Sequence, residues 1–270
     1  METVGFFFAT AAYLAGWALY LVNFETQAPA FFNWGKKFVF AGFLAHLAVL
    51  AAAVWGGDLR GSGILSHWVA PFLILSTAVF MEWRYKTRIW MLFSLPVVLL
   101  FCVLAFVLKP EDGPAGLQVV RSGGYLAAHT GFILSGFAGM ITAVLSAAMY
   151  LVQSYQLKSK RVGNFFLKLP ALDTLDRIHF RSLALGVVLF SLGILSGLFW
   201  AKNLRELHQV FRDPKVVLSF LTCLAYWLVL GFRMSALSRG QKIAAGTVIT
   251  FALLVATFVT THDYAPPGGF

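Results

Sequence analysis

Eight apolar runs, each about as long as a bilayer core is thick, dominate what this chain can fold into. They fall at residues 4–22, 36–56, 65–82, 88–108, 123–154, 178–200, 215–233 and 241–261. About 20 helical residues cross the roughly 30 Å of hydrocarbon in a bilayer. Only helices or closed barrels satisfy their backbone groups in lipid, and uninterrupted runs of this kind predict helices. The fifth run exceeds what a bilayer requires, so it should tilt or project. The chain is 12% charged, about half the share of an ordinary soluble domain. The expected fold is an all-α integral membrane protein, a bundle of about eight transmembrane helices. It forms one polytopic domain, residues 1–122 carrying the first four spans and 123–265 a second part.

Basic residues orient the bundle. One set of connections holds Lys36, Lys37, Arg84, Lys86, Arg88, Lys158, Lys160, Arg161, Lys168, Arg177, Arg181, Arg233, Arg239 and Lys242. The opposite set holds half as many, mixed with acids such as Asp58, Glu111, Asp112, Glu206 and Asp213. The positive-inside rule puts the first set in the cytoplasm and both termini outside. The net charge of +10 is then a matter of topology and gives no reason to expect a nucleic-acid partner. The opening run lacks a basic segment before it and reads as a retained first span of a bacterial-type inner membrane protein. The inner stretch KSKRVGNFFLKLPALDTLDR is basic, turns at Pro170 and starts a helix near Asp173 and Asp176. Its plainest role is to grip anionic lipid headgroups.

Chemistry has few residues to work with. Cys102 and Cys223 stand alone in apolar runs, so there is neither a dithiol centre nor a covalent c-type haem site. There is no HExxH, no Cys/His cluster and no carboxylate pair, and Glu82 is the only acid near a span interior. Six histidines remain. His46 is mid-span, where a polar ring needs protein or ligand around it. His67, His129, His208 and His262 come to the outer side, and His179 to the inner. His129 and His262, far apart in sequence, share a depth near the outer face. Two imidazoles facing across a helix bundle hold a b-type haem iron without covalent attachment. His208, His67 and His46 are alternates, and a histidine at a helix end also serves simply as an interfacial hydrogen-bonder. Gly131, Ser135 and Gly139, and again Gly193 and Gly197, repeat at four-residue spacing, which favours close helix packing.

Between the sixth and seventh runs lies WAKNLRELHQVFRDPKVV. Leu204, Leu207, Val210 and Phe211 fall on one helical face and charges on the others, the pattern of a short helix on the outer membrane surface.

The segments HTGFILSGFAGMITAVLSAAMYLVQSYQLKSK, LPALDTLDRIHFRSLALGVVLFSLGILSGLFWAKN, DPKVVLSFLTCLAYWLVLGFRMSALSRGQKIAA and the closing THDY, in that order over about residues 125–265, resemble the cytochrome c assembly superfamily of CcsA-, CcmC- and CcmF-type haem handlers. The first half, with FMEWRYKTRIWMLFSLPVVLLF, resembles its HemX-like or YpjD-like eight-span branch. The resemblance implies that an outer tryptophan-rich haem platform stands where this chain has NLRELHQVFR, flanked by Trp200 and Asp213. The tryptophans between those flanks are absent. It also implies outward haem-ligating histidines at His129 and His262. A further histidine within the membrane would fall near Gly231 and is missing, which argues against a two-haem conduit.

Three readings follow. The first is a haem-binding or haem-handling membrane protein with one non-covalent haem b. It would work in cytochrome c assembly or haem supply beside a membrane or extracytoplasmic partner, without catalysis of its own. The second is a quinol-linked haem b electron-transfer subunit. The third is a haem-free scaffold that regulates tetrapyrrole synthesis through its basic inner loops.

Overall fold

The structure, a computed structural model, describes residues 2–55, 62–87, 89–108, 124–160, 164–202, 211–235 and 240–260. All its regular elements are helices: α1 (Glu2–Thr26), α2 (Pro29–Trp55), α3 (Ser62–Tyr85), α4 (Ile89–Val107), α5 (Gly124–Lys158), the short α6 (Asn164–Lys168), α7 (Leu172–Lys202), α8 (Pro214–Met234) and α9 (Gln241–Val259). Each of the eight long helices carries one of the eight apolar runs. Among the described residues, seven helices (α1, α2, α4, α5, α7, α8 and α9) are long and apolar enough to cross a membrane. The remaining long helix, α3, contains Pro71 and ends in Glu82-Trp83-Arg84-Tyr85. At 35 residues, α5 measures about 52 Å at 1.5 Å per residue, so it overruns the bilayer as its sequence predicts. α7 starts six residues before its apolar run. Pro170 ends the preceding segment, and Asp173 sits favourably in the positive first turn.

The chain groups into two compact units: residues 1–121 with 162–170, and residues 122–161 with 171–270. In the first unit α1 and α2 form a hairpin. They approach closely because Gly16 and Gly35 face each other; a Cβ on either would come within 3.2 Å of the other's carbonyl oxygen. α4 joins α1 through the Trp17 indole, which donates to the Leu92 carbonyl (3.3 Å). Lys168 of α6 donates to the Phe24 carbonyl (3.1 Å) and lies over the Phe24 ring. The α1–α2 connection, the start of α4 and the basic α6 therefore share one end of this unit.

His46 is fully buried in the first unit. Its Nε2 donates to the Trp68 carbonyl (2.9 Å), which leaves Nδ1 to accept from the Tyr13 hydroxyl (3.1 Å). Phe6 and Phe72 meet the ring edge-on. The protein itself thus meets the cost of a mid-membrane imidazole. Replacing His46 by leucine strands the Tyr13 hydroxyl and removes a second donor from the Trp68 carbonyl, which keeps its place in the helix ladder of α3. That should destabilise the fold by about 1–3 kcal/mol for the one buried group left unsatisfied, read as a lowered melting temperature in detergent.

In the second unit α5 and α7 pack most extensively. Their contact runs through Gly136, Gly139 and Gly186: a Cβ on Gly136 would lie 2.5 Å from the Phe190 amide nitrogen, and one on Gly139 2.8 Å from the Gly186 Cα. The four-residue glycine pattern is therefore used for packing in part: Gly139, Gly193 and Gly197 stand at the α5–α7 contact, joined by Gly136 and Gly186, whereas Gly131 meets open space and Ser135 is exposed. At one end of this unit Asp176 of α7 is ion-paired with Arg233 of α8, and Lys158 of α5 donates to Gln241 of α9. The opposite end carries the start of α5, the ends of α7 and α9, and the start of α8.

Candidate functional site

That opposite end of the second unit contains His129. It lies in the second turn of α5 and is partly buried against α7. Its Nδ1 donates to the Gly193 carbonyl at 2.7 Å. A carbonyl only accepts, so Nδ1 carries the proton and, in the neutral ring, Nε2 carries the lone pair. Gly197, one turn further along α7, makes the fit: a Cβ there would lie 2.6 Å from the imidazole Cε1 and 2.8 Å from Nδ1. Ser196 Oγ donates to the same Gly193 carbonyl (2.8 Å). An imidazole tied through Nδ1 to a carbonyl has the fixed tautomer and ring orientation typical of a metal-ligating histidine.

α9 leaves its helix at Val259, three residues before His262, and Phe258 stacks with Phe137 of α5 at 5.8 Å. The described end of α9 therefore lies at the end of the unit that bears His129. His262 and His208 themselves lie outside the described residues. So does most of the amphipathic segment expected between the sixth and seventh runs, at 203–210. Trp200 belongs to the last turns of α7 and His67 to the first turns of α3; their side chains are outside the description. Asp213, on the far flank of that segment, is buried and caps α8. Its carboxylate accepts from the amides of Lys215 (2.8 Å) and Val216 (3.3 Å), and Pro214 occupies the first helical position. Both features are favourable at a helix start.

His46 belongs to the first unit, and the nitrogen that could ligate, Nδ1, already accepts from the Tyr13 hydroxyl, a bond that a ligand role would have to break. His179, near the other end of α7, is buried, and its Nε2 donates to the Thr247 hydroxyl (2.8 Å). Among the described residues no three of His, Cys, Asp and Glu gather as a metal site. The Gly193 carbonyl and Ser196 were not singled out in the sequence. Their only signal there is the GILSG spacing, which reads first as close helix packing.

The sequence matches the cytochrome C assembly protein family over residues 17–262, a match that ends on His262. The chain belongs to that family. Protein HemX of Brevibacillus brevis is 28% identical over 81% of this chain and 85% of its own length. The inner membrane protein YpjD of Escherichia coli K12 is 29% identical over 61% of this chain and 62% of its own. The cytochrome c biogenesis protein CcsA of Prochlorococcus marinus MIT 9312 is 24% identical over 88% and 86%. No solved structure matches the chain. Family membership supports a haem-related function in a membrane, with the HemX and YpjD branch among its relatives.

Proposed function

We propose that this protein handles haem in cytochrome c assembly or haem supply, holding one b-type haem near the outer face of the membrane between His129 and His262. The observation that carries this reading is the Nδ1–H of His129 on the Gly193 carbonyl (2.7 Å). It supplies the nitrogen chemistry an axial ligand needs, since Nε2 keeps the lone pair. Haem, when bound, supplies a redox-active iron. The chain's own part is to hold the His129 ring at a fixed angle against α7 and to end α9, at Val259, at the same end of the unit.

The positive-inside distribution assigns the Lys158, Arg233 and Lys242 end to the cytoplasm, which turns His129 and both termini outward. On this reading a membrane or extracytoplasmic partner delivers or receives the haem. A quinol-linked electron carrier would ideally have a second haem or a quinone pocket involving His46, and the Tyr13 hydroxyl on that ring's acceptor nitrogen disfavours it. The test is an absorption spectrum of protein purified from haem-replete cells, oxidised and then reduced with dithionite. A sharp α-band in the reduced protein is expected. A well-folded but colourless protein would overturn the reading in favour of a haem-free scaffold.

A further inference from the structure

The turn Gly193-Ile194-Leu195-Ser196-Gly197 of α7 does more than let two helices touch. We propose that it is a positioning seat for His129: Gly193 fixes the imidazole tautomer, Gly197 opens the approach, and Ser196 tunes how strongly the ring is held. This rests on reading His129 as a haem ligand.

The argument starts from helix geometry. A carbonyl within a helix points along the axis toward the residue four positions on, so the Gly193 oxygen lies beside residue 197. Any side chain at 197 would stand across the path of a donor coming from α5. Gly197 has none, and the His129 ring fills the space: a Cβ there would fall 2.6 Å from Cε1, 2.8 Å from Nδ1 and 3.5 Å from Nε2. Gly193 is tight for the same reason, with Ile133 of α5 at 2.7 Å from a Cβ built on it. One turn of α5 (His129 and Ile133) is thus keyed into one turn of α7. The ring cannot rotate to offer Nδ1 outward without losing the 2.7 Å bond to Gly193.

Ser196 adds a second effect. Its hydroxyl donates to the same oxygen at 2.8 Å, so two side-chain donors share one acceptor and each bond is weaker than it would be alone. A weaker Nδ1–H···O bond leaves less electron density on Nε2, and second-shell hydrogen bonding of this kind is one way a protein sets the potential of a bound iron. Removing the Ser196 hydroxyl should strengthen the hold on His129, favour the ferric state and move the midpoint potential down.

Two measurements on the full chain test this. In haem-free protein labelled with ¹⁵N-histidine, the signal lost in His129→Gln identifies the ring. It should show a protonated Nδ1 in the wild type, a proton shifted further downfield in Ser196→Ala, and loss of that state in Gly197→Ala. In haem-replete protein Ser196→Ala should lower the midpoint potential, and Gly197→Ala should lose the low-spin reduced spectrum. A protonated Nε2 in the wild type overturns the seat, as does a Gly197→Ala protein with wild-type tautomer and spectrum. If Gly197→Ala fails to fold, Ser196→Ala decides through its proton shift and midpoint, and no change in either overturns the tuning role. A colourless wild type refutes the haem reading alone, because the tautomer measurement still decides the seat.

Discussion

His129→Ala and His262→Ala are each expected to abolish the sharp reduced α-band of the haem-replete protein, while His208→Ala and His67→Ala retain it. An iron held by two imidazoles is six-coordinate and low-spin, and removing one ligand leaves a five-coordinate centre with a different spectrum. His129→Ala also creates a hole the shape of an imidazole beside Gly197, which has no side chain to fill it. Millimolar free imidazole should therefore restore the band in His129→Ala. Rescue by imidazole separates ligation from a structural role, because a variant that had merely lost its packing would not regain a low-spin spectrum on adding the missing ring. If either variant keeps the wild-type band, the ligand at that position lies elsewhere, and His208 becomes the next residue to replace.

How much of this was legible in the sequence differs from residue to residue. The eight long helices were, because the bilayer fixes a length and forbids unsatisfied backbone, so a run of about 20 apolar residues has few other options. The start of α7 was legible too, from Pro170 and the acids after it: the helix begins at Leu172, six residues before the apolar run that marks the span. The partner of Asp176 was not legible at all. Arg233 stands 57 residues away, and only the antiparallel packing of α7 and α8 brings the two charges together. His46 illustrates a half-answer: its mid-span position required something around it, and the structure supplies Tyr13 and Trp68. His129 was legible as a candidate from its depth in the membrane. The Gly193 carbonyl that fixes its tautomer was not, because a backbone oxygen 64 residues away leaves no mark on composition or spacing.

The glycine register yields the second large effect. Gly186→Leu should destabilise the second unit severely, whereas Gly131→Ala and Gly231→Ala should be neutral or slightly stabilising. A Cβ on Gly186 would lie 2.7 Å from the Met140 amide nitrogen and 3.0 Å from both the Gly136 oxygen and the Gly139 carbonyl carbon. All three are backbone atoms of α5, so no side chain can swing away to make room; the helices must separate. Overpacking of a core typically costs about 1–3 kcal/mol, and contact with backbone puts this substitution at or above the upper end. Gly131 and Gly231 have nothing within 4 Å of an added Cβ, so alanine there gains its helix propensity over glycine, about 1 kcal/mol. Thermal melting in detergent reads both effects. Separation of α5 from α7 would also stretch the bond between His129 and Gly193, so a Gly186→Leu protein that folds at all should bind haem with a perturbed low-spin spectrum. A Gly186→Leu protein as stable as the wild type would mean that α5 and α7 do not cross at these glycines, and the seat for His129 would fall with that crossing.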